Sequence, residues 1–373
     1  MLSPISSPIA PEYSYPTPEG TRLMAVLEDI ANSVELHSDF SLHHPHHESL
    51  ELAPELVQSL SQITIAQQDA YLRWRISTYL YGLYDDGELP SPQASASNRQ
   101  ASESDLPIQN KSIGINSEFN HQLQHSNTGQ GYFDPGWVAL RDSADGLLVV
   151  KKDGLTMHVS RDRHLAEQSV TFGNSVSVRL PNSYIENGCY VAVGNCGPCP
   201  KRTNDLQQVN IYLNLTLGGI LEALRELTTA LNERSVPFSF AVPYELEQDQ
   251  ERCDAGVLTL ERGAYISIQA SLFQFYQSYS AQFRSAVPLF AKNLAPGLGL
   301  SEQPLNPFIP KESFMMHRFQ ILAEGMVSAW RQNLNDSQNR KARILQSLDR
   351  YQISLQSPYL NPGSKDVYAL ASV

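Results

Sequence analysis

The chain has few of the features that narrow a function quickly. Cysteine occurs four times in 373 residues, at Cys189, Cys196, Cys199 and Cys253. That is too sparse for a disulfide-built scaffold and suits a reduced cytoplasmic compartment. No apolar run reaches the roughly 18 residues of a membrane span. The N-terminus, Met1-Leu2-Ser3-Pro4-Ile5-Ser6-Ser7-Pro8, has neither the basic nor the apolar section of a secretory signal. No membrane partner is expected. Basic residues are also in deficit, 27 Lys and Arg against 39 Asp and Glu, for a net charge of −12. A nucleic-acid partner, which needs a broad basic surface, is therefore not expected, although a local anion site is not excluded.

Motifs are missing too. There is no G-x-x-x-x-G-K-[ST], no strand followed by G-x-G-x-x-G, no G-x-S-x-G and no H-E-x-x-H. Nucleotide binding, serine hydrolysis and zinc proteolysis thus have no motif behind them, and no cofactor is implied.

A dense stretch from Tyr132 to Arg179 organises what is present. Short apolar runs at Val138–Leu140, Leu147–Val150 and Leu155–Val159 are separated by Asp145-Gly146 and Asp153-Gly154. Asp-Gly between β-rich runs marks tight hairpins, because glycine accepts the positive φ such turns need. The expectation is an antiparallel meander carrying Lys151, Lys152, His158, Arg161, Arg163 and His164, a basic cluster in an acidic protein.

Residues 1–16 read as a disordered arm, 17–89 as a helical N-terminal region and 90–130 as a flexible linker. Residues 131–373 read as the main domain. Leu23–Leu36 has helical spacing with Thr21 as its cap, and Pro54–Tyr84 reads as one long helix. The linker is rich in Ser, Asn and Gln and short of core-forming residues. Beyond it, strands are expected at Ser175–Leu180, Gly188–Gly194, Gln207–Leu215, Phe238–Tyr244 and Gly256–Glu261. Helices are expected at Thr216–Arg234, Tyr265–Phe283, Ser313–Leu334 and Asn339–Tyr351. The segment P-L-F-A-K-N-L-A-P-G-L-G-L reads as a shaped loop. Mixed but not alternating elements predict an α+β fold with an antiparallel or mixed sheet and packed helices.

Two further motifs have a functional and a structural reading. His43-His44-Pro45-His46-His47 could ligate a transition metal, but Pro45 breaks the helical spacing of a preorganised site, and a solvated loop is the plainer reading. Cys196-Gly197-Pro198-Cys199 has redox spacing, yet the residues after it do not start a helix, and one pair is half a structural zinc site. No metal site is expected.

For the basic cluster, two readings stand level. Lys152, His158, Arg161, Arg163, His164 and Arg179 form an anion pocket with arginine forks, or they form a solvated sheet face. Alternation places Lys152 and His158 on one face if the strands pair without a bulge. Tyr212 and Asn214 share a face of their strand and either join the pocket or pack in the sheet.

The blocks G-W-V-A-L-R-D-S-A-D-G-L-L-V-V-K-K-D-G-L-T-M-H-V, R-D-R-H-L, V-R-L-P, I-Y-L-N-L, P-F-S-F, P-L-F-A-K-N-L-A-P-G-L-G-L, E-S-F-x-x-x-R and S-P-Y-L-N resemble the type III secretion effector HopA family, in its free-living bacterial branch. The resemblance covers about residues 131–371. It implies one of two activities. Some relatives stand beside a kinase-like protein in lanthipeptide-type pathways and are implicated in eliminating phosphate from phospho-Ser/Thr of a precursor peptide. The pathogen effectors instead engage host proteins, which makes a non-catalytic protein-interaction module the alternative.

For elimination, a base takes the α-proton, an acid assists the leaving phosphate and cations hold it. On charge and spacing, Lys152 is the candidate base and His158 the candidate acid. Arg179 with Arg161 or Arg163 is the candidate clamp. Tyr212, Asn214 and Arg318 fall in family blocks and stand second. The chain departs from the family pattern at Asn210 and Ala241, where relatives carry Arg and Lys, and at Met315 and His317, where they carry Gly and Asn. Losing two cations weakens a phosphate site.

Overall fold

Thr17 caps the first helix. Its hydroxyl accepts from Gly20 N at 3.0 Å, and Pro18 takes the first helical position, so α1 runs Pro18–Ser33. The cap thus lies four residues before the expected Thr21. The computed structural model describes residues 17–90, 117–166, 169–200, 206–243, 253–310, 312–334 and 336–370. The expected arm, 1–16, and most of the expected linker, 91–116, lie outside the described residues.

After α1, the strands β1 (Glu35–Leu36), β2 (Leu42–His44) and β3 (His47–Leu50) form a small antiparallel sheet. The histidine run is therefore a hairpin, with His44 buried, and not a solvated loop. The expected long helix is two, α2 (Pro54–Gln62) and α3 (Ile65–Tyr84). They part at Thr64, which forms a reciprocal capping box with Gln67. That box satisfies amide donors that a continuous helix would have paired internally.

Next come α4 (Ser117–Ser126), β4 (Tyr132–Asp142), β5 (Leu148–Lys152), β6 (Leu155–Val159), the single turn α5 (Arg161–His164) and β7 (Ser175–Leu180). Helix α4 corrects the tail of the expected linker. Its Phe119 and Leu123 are buried against the main core. Strands β4 to β7 make a four-stranded antiparallel sheet in the order β6-β5-β4-β7, with its own core of Trp137, Ala139, Leu148, Val150, Val159, Val176 and Val178.

The remaining elements are β8 (Ser183–Glu186), β9 (Cys189–Val193), β10 (Gln208–Leu213), α6 (Leu217–Glu233), β11 (Phe238–Pro243), β12 (Gly256–Glu261), α7 (Tyr265–Tyr279), β13 (Lys292–Ala295), β14 (Leu298–Glu302), α8 (Phe314–Arg331) and α9 (Ser337–Arg350). Seven of them form an antiparallel sheet in the order β13-β14-β10-β12-β11-β9-β8. The segment expected as a loop is the β13–β14 hairpin. It turns at Pro296-Gly297, where glycine has φ +75°. Its prolines stand outside the paired strands, so the ladder loses no donor.

Alternation along the central strand β10 divides the molecule into layers. Val209, Ile211 and Leu213 face one core with Leu224 and Leu227 of α6 and Ile268 and Leu272 of α7. Tyr212 faces the other core with Leu23 and Leu27 of α1, Leu72 and Ile76 of α3, and Phe319 and Met326 of α8. The fold is α+β, with helices on both faces of one large antiparallel sheet. The N-terminal helices pack firmly into this second core. Leu23, Leu27, Ile76 and Leu80 are fully buried, at roughly 1.5–3 kcal/mol each. Arg22 also donates to the carbonyls of Pro288 and Leu289 at 3.0 and 2.9 Å.

Candidate functional site

The β5–β6 hairpin decides the fate of the first candidate residues. Asp153 and Gly154 take φ +48° and +84°, and the two-residue turn pairs Lys152 with Leu155. Directly opposed residues of an antiparallel pair share a face. Lys152 therefore lies with Val150, Met157 and Val159 on the inner face, while His158 lies opposite Val149 on the outer face. The expectation that Lys152 and His158 share a face is wrong. A two-residue turn reverses the parity between the strands, so residues six apart end on opposite sides.

Lys152 is also engaged. Its Nζ donates to Asp134 Oδ1, Asp134 Oδ2 and Pro135 O, each at 2.7 Å. Asp134 also accepts from Trp137 Nε1 at 2.7 Å. These contacts fasten the irregularity in β4 between Asp134 and Trp137. An ammonium held by three oxygens presents no lone pair to a substrate proton.

The remaining cluster disperses. Arg161 is paired with Asp142 at 2.6 Å. Arg163 is exposed on α5, and His164 Nδ1 accepts from Ser160 N at 3.0 Å. Arg179 donates to Gln130 O at 2.9 Å and stands opposite Phe133 at the far end of β7. It lies four positions along β7 from the row Thr156–Lys151–Val138–Ser175, about 13 Å at strand rise. No single phosphate could meet Lys152, His158 and Arg179 together.

What the outer face does carry is a mixed surface. The register places Phe133, Val138, Leu140, Arg141, Lys151, His158 and Arg179 on it, and no acidic residue of the four strands. Phe133, Val138 and Leu140 are 47%, 37% and 42% exposed, with Val138 and Leu140 two residues apart and Phe133 toward the other end of β4. The bulge between Ala139 and Arg141 turns Leu140 and Arg141 outward together. Sequence reading counted Lys151 in the basic cluster but chose Lys152 as the base and left out Arg141, which the register sets opposite Val149, diagonally from Lys151.

The second group of candidates lies beneath α8. Tyr212 is 5% exposed and its Oη shares a 3.0 Å hydrogen bond with Ser301 Oγ. Burial pushes its phenol pKa well up. Asn214 Nδ2 donates to Ala286 O at 2.9 Å. Arg318 is wholly buried. It donates to Pro358 O at 3.1 Å, Leu360 O at 3.0 Å and His317 Nδ1 at 2.9 Å, and its guanidinium lies 4.6 Å from the Phe314 ring centre. Desolvation lowers its pKa to about 9. Because Arg318 can only donate, His317 must accept at Nδ1 and donate from Nε2 to Asn306 O at 3.2 Å.

The two departures Asn210 and Ala241 belong to that same sheet face. Asn210 lies opposite Thr259 and Ser301, and Ala241 lies opposite Val257, itself opposite Tyr212. Asn210 donates to Gln303 Oε1 at 2.6 Å and accepts from Thr259 Oγ1 at 2.9 Å. Gln303 donates to Glu312 O, and Glu312 accepts from Gln320 Nε2 at 2.6 Å and Phe308 N at 2.8 Å. Burial raises the Glu312 pKa. A network of amides and one carboxylate occupies this face, with an apolar residue at position 241.

Glu302, missed in the sequence, anchors the C-terminal segment. It is fully buried, yet Oε1 accepts from Ser364 Oγ and Tyr368 Oη at 2.7 Å each and meets Arg262 Nε at 3.2 Å. Oε2 accepts from Asn361 N at 2.8 Å. Arg318 of the E-S-F-x-x-x-R block thus holds the carbonyls of Pro358 and Leu360 in the S-P-Y-L-N block, and Glu302, outside both blocks, holds the amide of Asn361. The only sequence sign was an acid continuing the apolar run Leu298-Gly299-Leu300-Ser301.

In the C-x-x-C pair, Cys199 is not a low-pKa thiol. All four cysteines are free. Cys199 is buried, accepts from Gln208 Nε2 at 3.4 Å, and has its pKa pushed up to about 11 by burial. Among the described residues no cluster of three His, Cys, Asp or Glu could hold a metal ion, and no helix is long and apolar enough to cross a membrane.

With the sheet and its helices placed, the chain can be compared with known proteins. Residues 180–360 match the model of the HopA1 effector protein family, and that part of the chain is similar to it. Two similar solved structures are effector proteins of Pseudomonas syringae. One, from pv. tomato strain DC3000, is 16% identical with a TM-score of 0.40 and covers 82% of this chain and 99% of its own. The other, from pv. syringae strain 61, is 12% identical with a TM-score of 0.43 and covers 92% of this chain and 98% of its own. No curated protein matches the chain.

Proposed function

We propose that the protein is a protein-interaction module that binds an extended segment bearing acidic and apolar side chains on the outer face of the β6-β5-β4-β7 sheet. One observation carries this reading. In a chain of net charge −12, that face sets exposed Phe133, Val138 and Leu140 among Arg141, Lys151 and Arg179 without an acid from its strands. Cations steer an acidic segment, and the apolar side chains bury against it. The match of residues 180–360 to an effector family supports protein engagement in general. Four free thiols support action in a reducing compartment such as the cytoplasm.

The alternative, phosphate elimination from phospho-Ser/Thr of a peptide prepared by a kinase-like partner, has less support. Its candidate base is tied to Asp134, its candidate acid faces the other way, and Asn210 and Ala241 stand where relatives have cations. The two readings separate in one experiment. A synthetic peptide alternating Glu and Leu, and its counterpart with phosphoserine for Glu, are titrated into the protein by calorimetry. Intact mass is then followed. Binding of both, weakened at least tenfold by Lys151→Glu with Arg141→Glu, and an unchanged phosphopeptide mass are expected. Loss of phosphoric acid from the peptide, or affinity indifferent to charge reversal, overturns the proposal.

A further inference from the structure

The hairpin built by the histidine run contains an arrangement that neither the family nor the sheet face accounts for. Asp39 Oδ1 accepts from Ser41 Oγ at 2.6 Å and from Ser41 N at 3.1 Å. Ser41 Oγ lies 2.9 Å from His43 Nε2. His43 Nδ1 lies 2.9 Å from Ser49 Oγ.

The direction of each bond follows from the chemistry of the partners. A carboxylate only accepts, and the hydrogen bonds from Ser41 hold the Asp39 carboxyl below its usual range. The single Ser41 proton therefore points to Asp39. Ser41 Oγ must then accept from His43, which places the imidazole proton on Nε2. That leaves the Nδ1 lone pair for the Ser49 hydroxyl. The chain Asp39–Ser41–His43–Ser49 thus has the logic of a base oriented by a third group and hydrogen-bonded to a hydroxyl nucleophile.

Two features fix the geometry. Strand β3 pairs Leu50 with Leu42 but His47 with His44, so Glu48 and Ser49 together stand opposite the single residue His43. A bulge of this kind re-aims a side chain, here Ser49 onto His43. His37 stacks on the His43 ring, with centroids 4.1 Å apart and planes 27° from parallel, and limits its rotation. Strand β3 is the outer strand of its sheet, and Ser49 and His43 are both half-buried, so a substrate can reach them.

We propose that Ser49 is an acyl-accepting nucleophile with His43 as its general base and with Ser41 and Asp39 as positioning residues, acting on carboxylic esters. Ser49 Oγ forms a bond to the carbonyl carbon as its proton passes to His43 Nδ1. The tetrahedral intermediate collapses by breaking the bond to the ester's alkoxy oxygen, which leaves with that proton as an alcohol. Water, deprotonated by the same nitrogen, then adds to the acyl carbon, the bond to Ser49 Oγ breaks as that proton passes from His43 Nδ1 to Oγ, and a carboxylic acid is released. The site is independent of the sheet-face reading, since it lies on another sheet.

The test treats the full chain with a fluorophosphonate probe and maps the adduct by peptide mass. Phosphonylation at Ser49 is expected, with the rate falling at least tenfold in His43→Ala. Turnover of p-nitrophenyl acetate should vanish in Ser49→Ala, and in Asp39→Asn kcat should fall with KM unchanged. Thermal melts of each variant close to wild type establish that the fold is intact. No adduct on Ser49, or labelling that survives His43→Ala undiminished, overturns the proposal.

Discussion

Arg318 and Pro358 are joined across 40 residues by a 3.1 Å hydrogen bond inside a region with no solvent access. With Leu360 and His317 as further partners, the guanidinium is a structural pin for the C-terminal segment. Truncation at Arg318→Ala leaves two buried carbonyls without donors and a cavity beneath α8. The expected cost is about 3–5 kcal/mol, seen as a lower urea midpoint with an unchanged slope. Wild-type stability in this variant would return Arg318 to the list of ligand-binding residues.

Gly325 marks the closest approach of α8 and α9. A Cβ there would stand 2.6 Å from Ile344 Cα and 2.8 Å from Arg343 O, both backbone atoms that cannot rotate away. Gly325→Ala gains helix propensity of about 1 kcal/mol in principle. Overpacking of about 1–3 kcal/mol outweighs it. A net loss in melting temperature is expected by calorimetry. A gain would mean that the two helices separate easily.

The His44 ring is enclosed, and burial pulls its pKa from 6.5 to about 4. Asp29, 3.9 Å away, opposes that shift, and His46 and His47 reinforce it. The unfolded chain therefore takes up a proton near pH 6.5 that the folded chain refuses until about pH 4. Stability from this group is complete above pH 6.5 and declines as pH falls, by about 2 kcal/mol at pH 5. Urea unfolding at pH 7 and pH 5 measures the decline, which should be absent in His44→Gln. Equal pH dependence in both proteins would assign it to other groups.

Thiol chemistry should separate the two ends of the C-x-x-C motif. Cys196 is exposed, whereas Cys199 is buried with its pKa raised to about 11. At pH 8, iodoacetamide should modify Cys196 at least tenfold faster than Cys199, because only the thiolate reacts. Peptide mass mapping reads the ratio. Faster reaction at Cys199 would show that its burial does not shield the thiol.

Lys152→Ala should be mild. Its partners, Asp134 and Pro135, lie in a partly exposed strand, and ion pairs of this kind contribute about 0.2–1 kcal/mol. The variant should bind the acidic peptide as wild type does, since Lys152 faces the inner side of its sheet. A complete loss of binding would show that the inner face takes part.

Local chemistry was legible in the chain alone. Asp-Gly turns, alternation in Gln208–Leu213 and the leucine spacing of Leu217–Glu233 all encode their elements through neighbouring residues, and those elements formed as expected. The α+β class followed from their order. The break at Thr64 was also written locally, as a capping box that the surrounding apolar spacing concealed.

What the tertiary structure decided was company. The basic cluster looked like one site because its members are close in sequence. Register then sent Lys152 inward and His158 outward, and Asp134 and Asp142 occupied two of the cations. The hairpin of Pro296-Gly297 became a partner of the central strand because its edges had backbone to pair with, which prolines and glycines in a row do not reveal. The relay from Asp39 to Ser49 needs a bulge that no spacing rule marks. Faces, bulges and ion-pair partners depend on which strand lies next to which, and that depends on contacts between residues far apart in the chain.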